Sequence, residues 1–141
     1  TLDMINFYSA DDQLICTGDT LFVLGCGRIF EGNAAMMWAS LEKLMALPDD
    51  TIVHCSHEYT LANARFAVTI DPDNTALAER QAAFETLREN NLPTVPTRMD
   101  LEKATNPFLR ASDPAIRALL AMTDASDADV FAEIRRRKDN F

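Results

Sequence analysis

The four glycines of this chain all stand between positions 18 and 32, and from His57 onward glycine is absent while apolar residues recur at helical spacing. Glycine serves tight turns and close backbone approaches, so this distribution divides the 141 residues into two textures. A turn-rich part carrying strands is expected over 1–57, followed by a helical unit over 58–141. The predicted class is α/β.

Within the first part, Ile5 to Tyr8 and Leu14 to Thr17 are short apolar segments flanking Ser9-Ala10-Asp11-Asp12-Gln13. That pattern predicts a β-hairpin. Asn33 is placed to cap a helix in which Met37, Trp38, Leu41, Leu44 and Met45 share one face and which Pro48 closes. Thr51 to Cys55 reads as a further strand, rich in β-branched residues at its start, with His57 just beyond its end. In the second part Thr60 is the expected cap of a helix to about Val68. Asn74 or Thr75 is the expected cap of another, with Leu77, Phe84 and Leu87 on one face and Asn90-Asn91 at its end. Pro93, Pro96 and Pro107 predict a loop. Pro114 after Asp113 marks a helix start, and Asp127 begins a last helix that buries Val130, Phe131 and Ile134.

Composition narrows the function. Apolar residues make up 48% of the chain, enough for a packed core, and the formal charge is −9. Such an acidic balance argues against nucleic acid or an anionic membrane as partner, because phosphate contacts need clustered Lys and Arg. No apolar run is long enough to span a bilayer, and no signal peptide is legible. Cys16, Cys26 and Cys55 are odd in number and lack CxxC spacing, which points to a reducing cytoplasm and to core thiols.

Few residues are suited to chemistry. Asp19 follows a strand, where a sheet fixes a carboxylate whose oxygens point into a cleft; the alternative is an Asx-turn. The two histidines, His54 and His57, are three residues apart. On a strand they face opposite ways and do not chelate one ion, so His54 is read as structural. Gly25, Gly27 and Gly32 around Arg28 suggest a loop that approaches a ligand closely. Arg135 to Lys138 is the one basic run; it suits a helix C-terminus, and Arg135 and Lys138 fall on one helical face.

Taken together, Gly18-Asp19-Thr20-Leu21-Phe22, Gly25-Cys26-Gly27-Arg28 and His57-Glu58-Tyr59-Thr60 resemble the glyoxalase II family. These are hydroxyacylglutathione hydrolases of the metallo-β-lactamase superfamily, and the resemblance extends from about Thr1 to Phe141. It implies the second half of an αββα sandwich followed by a C-terminal helical domain that binds glutathione. It implies that Asp19 bridges two divalent metal ions, zinc or else iron or manganese, and that His57 binds one of them. Arg28 and Tyr59 would bind glutathione, while Arg135 and Lys138 would hold its carboxylate end. Phe30 stands where family members often have Tyr. The implied reaction is hydrolysis of the S-D-lactoylglutathione thioester to D-lactate and glutathione.

The family's THxHxDH segment has no counterpart here. Thr1-Leu2-Asp3-Met4 fits an HTxxH segment whose second His is replaced by Met4, leaving Asp19 and His57 of seven side-chain ligands. The expectation is the C-terminal part of a hydrolase, or a degenerate relative. As part of a hydrolase, the chain would pair with an N-terminal fragment or self-associate through exposed sheet. The rival reading is a glutathione-binding or interaction module without catalysis.

Overall fold

The computed structural model describes residues 2–141. Strands β1 (Phe7–Ser9) and β2 (Leu14–Gly18) form the expected hairpin, with Tyr8 opposite Ile15. Two short strands, β3 (Leu21–Phe22) and β4 (Gly25–Cys26), follow as a separate ribbon. Helix α1 (Ala34–Met45) starts where the Asn33 side chain accepts from the Met36 N–H. Its buried face is Trp38, Leu41 and Leu44. The helix then returns the chain to β5 (Ile52–Cys55), which lies parallel to β2. Parallel neighbours need such a crossover.

Five more helices complete the chain: α2 (Thr60–Ile70), α3 (Thr75–Glu89), α4 (Met99–Thr105), α5 (Pro114–Leu120) and α6 (Asp127–Asp139). Side chains cap three of them as their sequence suggests. Asn74 caps α3, Asp113 caps α5 immediately before Pro114, and Ser126 caps α6. A short strand β6 (Thr97–Arg98) pairs antiparallel with β5, so the main sheet runs β1-β2-β5-β6.

Three expectations are corrected. Residues 93–107 are not a continuous loop, because β6 and α4 lie within them; Pro96 precedes the strand instead of excluding it. Thr60 is the first residue of α2 and not its cap. The cap is Tyr59, without a side-chain bond, while the Thr60 hydroxyl meets that of Thr94. Cys16 is exposed, since β2 turns Ile15 and Thr17 inward and Cys16 outward, and only Cys26 is a buried thiol.

The main core combines both parts of the chain. Ile15, Trp38, Leu41 and Val53 pack with Phe66, Phe108, Phe131 and Ile134, and the Trp38 and Phe131 rings are 5.9 Å apart. A second cluster places Val23 and Leu24, from the β3–β4 turn, among Ala64, Ala67, Leu77 and Phe84 of α2 and α3. Beneath that turn Glu102 is fully buried. One carboxylate oxygen accepts from the Leu24 N–H at 2.9 Å and from Asn106 Nδ2 at 3.0 Å. The other accepts from Arg80 Nη2 at 2.8 Å and Thr97 Oγ1 at 2.9 Å. A buried charge persists where such partners satisfy it. Among the described residues no helix is long and apolar enough to cross a membrane.

Candidate functional site

Asp19 and His57 leave the carboxyl ends of the adjacent parallel strands β2 and β5, the place where open α/β sheets gather ligands. Gly18 adopts φ +50°, a left-handed turn that directs Asp19 out of the strand. The Ser56 N–H donates to the Gly18 carbonyl at 3.2 Å, tying the two strand ends together. Gly27 closes the corner from the other side: a Cβ there would lie 2.1 Å from the Asp19 carbonyl oxygen, so no side chain fits.

Asp19 Oδ1 lies 3.4 Å from His57 Nε2, with both side chains about half exposed, and accepts a hydrogen bond from the Ser56 hydroxyl. The His57 ring stacks on Tyr59 with centroids 4.8 Å apart and planes 15° apart. Phe22 packs edge-on against both, at 6.0 and 5.4 Å. His54 is exposed, opposite Cys16 in register, and does not enter the cleft. His57 lies beyond the end of β5, so strand alternation governs His54 alone and turns it outward beside buried Val53.

A metal ion fits between Asp19 and His57. Bonds of about 2.0 to 2.2 Å to oxygen and nitrogen at a tetrahedral angle place the two donor atoms about 3.4 Å apart, which is the spacing observed. Among the described residues no group of three or more His, Cys, Asp or Glu is placed to hold an ion. Met4, in the position read from HTxxH, lines the same cleft.

The cleft measures about 630 Å³ and brings all six candidate residues together: Asp19, Arg28, His57, Tyr59, Arg135 and Lys138. Its far end is built on α6. Arg135 is almost wholly buried, donating to the Cys26 carbonyl at 3.0 Å and to Asp139 at 2.8 and 3.1 Å, with its guanidinium 5.0 Å from the Phe108 ring centre. Asp139 also meets Arg28 Nε at 3.4 Å. Lys138 Nζ donates to the Ala62 carbonyl at 2.9 Å and lies 5.1 Å from the Phe66 ring centre. Burial lowers the Lys138 ammonium to about 8, helped by the positive charges of Arg135 and Arg65. Burial pushes the Cys26 thiol up to about 11 against the opposing pull of Arg135, so Cys26 is no nucleophile at neutral pH.

The sequence reading missed Ser56, which orients Asp19, and Asp139, which two arginines share. Nothing local marks Ser56. Asp139 was within reach, since it stands one helical turn after Arg135, the spacing at which opposite charges pair.

The family model described as "Hydroxyacylglutathione hydrolase C-terminus" matches residues 58–141. Three relatives, each named hydroxyacylglutathione hydrolase, align with nearly all of the chain. The Rhizobium meliloti protein is 63% identical over 135 residues, 96% of this chain and 53% of its own length. Its Rhizobium etli counterpart is 58% identical over 141 residues, 100% of this chain and 55% of its own length. That of Brucella ovis is 58% identical over 137 residues, 97% and 53% respectively. The chain thus spans about half the length of the curated relatives it matches. The glyoxalase II resemblance carried by GDTLF, GCGR and HEYT is borne out, and the chain belongs to the hydroxyacylglutathione hydrolase C-terminus family.

Proposed function

We propose that this chain supplies the glutathione-binding part, and two of the metal ligands, of a hydroxyacylglutathione hydrolase acting on S-D-lactoylglutathione. In this reading residues 1–57 belong to the second half of an αββα metallo-β-lactamase-like sandwich, and 58–141 are the helical glutathione-binding domain. The setting is the cytoplasm. The observation that carries the proposal is the meeting of Asp19 and His57, at 3.4 Å, in one cleft with Arg28, Tyr59, Arg135 and Lys138.

Asp19 and His57 would hold divalent metal ions, zinc or else iron or manganese, with Asp19 shared between two. When bound, such ions would supply an activated water for the thioester carbonyl. The chain's own residues then have separate tasks. Ser56 fixes the Asp19 carboxylate through its hydroxyl. Tyr59 and Phe22 clamp the His57 imidazole, which fixes the direction of Nε2. Arg28 and Lys138 present cations to the carboxylate end of the substrate, contacts that are stronger for being charge-assisted. Arg135 is almost completely engaged by Cys26 and Asp139, so its principal contribution is to shape the wall and set the field behind Lys138.

In a chain extended to the length of the relatives, Asp19→Ala is expected to abolish loss of the thioester absorbance, and His54→Ala to leave it nearly intact. Turnover that survives the Asp19 change overturns the ligand assignment. A second reading, a glutathione-binding module without catalysis, is favoured by the limit of two convergent ligands among the described residues. Binding without turnover by the extended chain would select it.

A further inference from the structure

On the other side of Tyr59 and Ala62 lies a smaller groove of about 240 Å³, lined by Glu58, Tyr59, Leu61, Ala62, Arg65 and Arg88. Tyr59 and Ala62 also line the main cleft, so the two cavities share a wall. We propose that this groove is the subsite for the γ-glutamyl head of the glutathione moiety, its α-carboxylate held by Arg65 and Arg88 and its α-ammonium by Glu58. The assignment rests on the glutathione reading above.

Charge is the first support. Acidic residues outnumber basic ones by nine, yet the partners of these two arginines are backbone carbonyls. Arg65 Nε donates to Leu61 at 3.3 Å and Arg88 Nη1 to Leu92 at 2.8 Å. Among the described residues neither guanidinium is matched by a carboxylate at ion-pair distance. Each has five N–H donors, most of them still free. The end of α3 explains a cation at Arg88 through the helix dipole, but Arg65 sits in the middle of α2, where no such attraction operates.

Glu58 gives the groove its selectivity. Its carboxylate is anchored by the Thr94 N–H, at 3.2 and 3.3 Å, and by the Thr94 hydroxyl. One fixed acid beside two unpaired cations offers a partner to each charge of an α-amino acid zwitterion, whereas a plain dianion such as phosphate leaves the acid without one. The two cavities are also close enough for one ligand. Lys138 bonds to the Ala62 carbonyl, and Ala62 and Arg65 are successive positions of one helical face, about 5 to 6 Å apart. An extended tripeptide reaches about 10 Å.

Isothermal titration of the 141-residue chain with three thioethers tests the assignment: S-methylglutathione, its desamino analogue with glutaryl in place of γ-glutamyl, and S-methyl-cysteinylglycine. The chain is expected to bind the tripeptide about tenfold more tightly than the dipeptide, the effect of partly exposed charge-assisted bonds. Arg65→Gln with Arg88→Gln should bring the tripeptide down to the dipeptide's affinity and leave the dipeptide unchanged. Glu58→Gln should erase the preference for the tripeptide over the desamino analogue. A preference that survives the double change, or a loss shared equally by the dipeptide, overturns the assignment. Arg65→Gln alone, at an exposed position, repeats the test with little risk to folding. Equal affinity of the unchanged chain for tripeptide and dipeptide defeats the groove but spares the glutathione reading; failure to bind any of the three defeats both.

Discussion

The two ends of the cleft are built by different means. At the Asp19 end the backbone does the placing: Gly18 turns left-handed, Gly27 lies against the Asp19 carbonyl, and the Ser56 N–H joins two strand ends. The side chains there stay half exposed, with donor atoms free for further partners. At the α6 end side chains hold side chains, and Arg135 uses its own chain for nearly all its bonds. One end is oriented but open, whereas the other is self-contained. Binding is therefore expected to be a property of this chain by itself, and turnover is not.

Removing Arg135 should break the self-contained end most severely. Arg135→Ala leaves the buried Cys26 carbonyl unsatisfied and a cavity in the wall, at a cost of about 2 to 4 kcal/mol, while the partly exposed Asp139 adds little by losing its cation. Urea unfolding measures it, and a loss below about 1 kcal/mol would mean that this end is not held as described. At the open end, Gly27→Ala forces a Cβ onto the Asp19 carbonyl. The expected cost is about 1 to 3 kcal/mol of overpacking, with a displaced Asp19 detectable as weaker metal binding. Normal stability with unchanged metal affinity would show that the corner yields easily.

Lys138 sharpens the comparison through pH. Its folded value, about 8, lies below the ordinary 10.5. Between these values the unfolded chain binds more protons than the folded one, so unfolding free energy rises with pH across that window and levels off above it. Below about 8 both states are protonated and the folded chain bears a partly desolvated cation. Lys138→Met should flatten the rise. Because the side chain is only half buried, the change is modest. The smallest effect belongs to Glu133, held near 2 by hydrogen bonds from Arg136 and then Arg137. Both guanidiniums reach solvent, so Glu133→Gln should change stability very little and leave glutathione affinity unchanged.

What the sequence disclosed was whatever a few neighbouring residues decide. Asn33, Asn74 and Asp113 cap helices through bonds to N–H groups two or three residues on, so α1, α3 and α5 were legible. So was the outward turn of His54, which follows from the strand period. Strand β6 was not, since two residues become a strand only when β5 lies alongside. Glu102 stood unmarked in a stretch expected to be a loop, because its partners Leu24 and Arg80 are distant in sequence. The six candidate site residues could be named from motifs, but their convergence on one cleft, and the diversion of Arg135 into the wall, depend on how α6 packs against the β4 end.

Glu102 also sets an order of events during synthesis. The Leu24 N–H and its acceptor are 78 residues apart. A ribosome adding about 5 to 20 residues each second makes the acceptor about 4 to 16 seconds after the donor. Until then the turn between β3 and β4 lacks the bond that fixes it, and that turn places Phe22 against His57 and leads into Gly27. The corner that carries Asp19 is made early and finished late, and any ion captured there by a nascent chain would meet a pocket still unset.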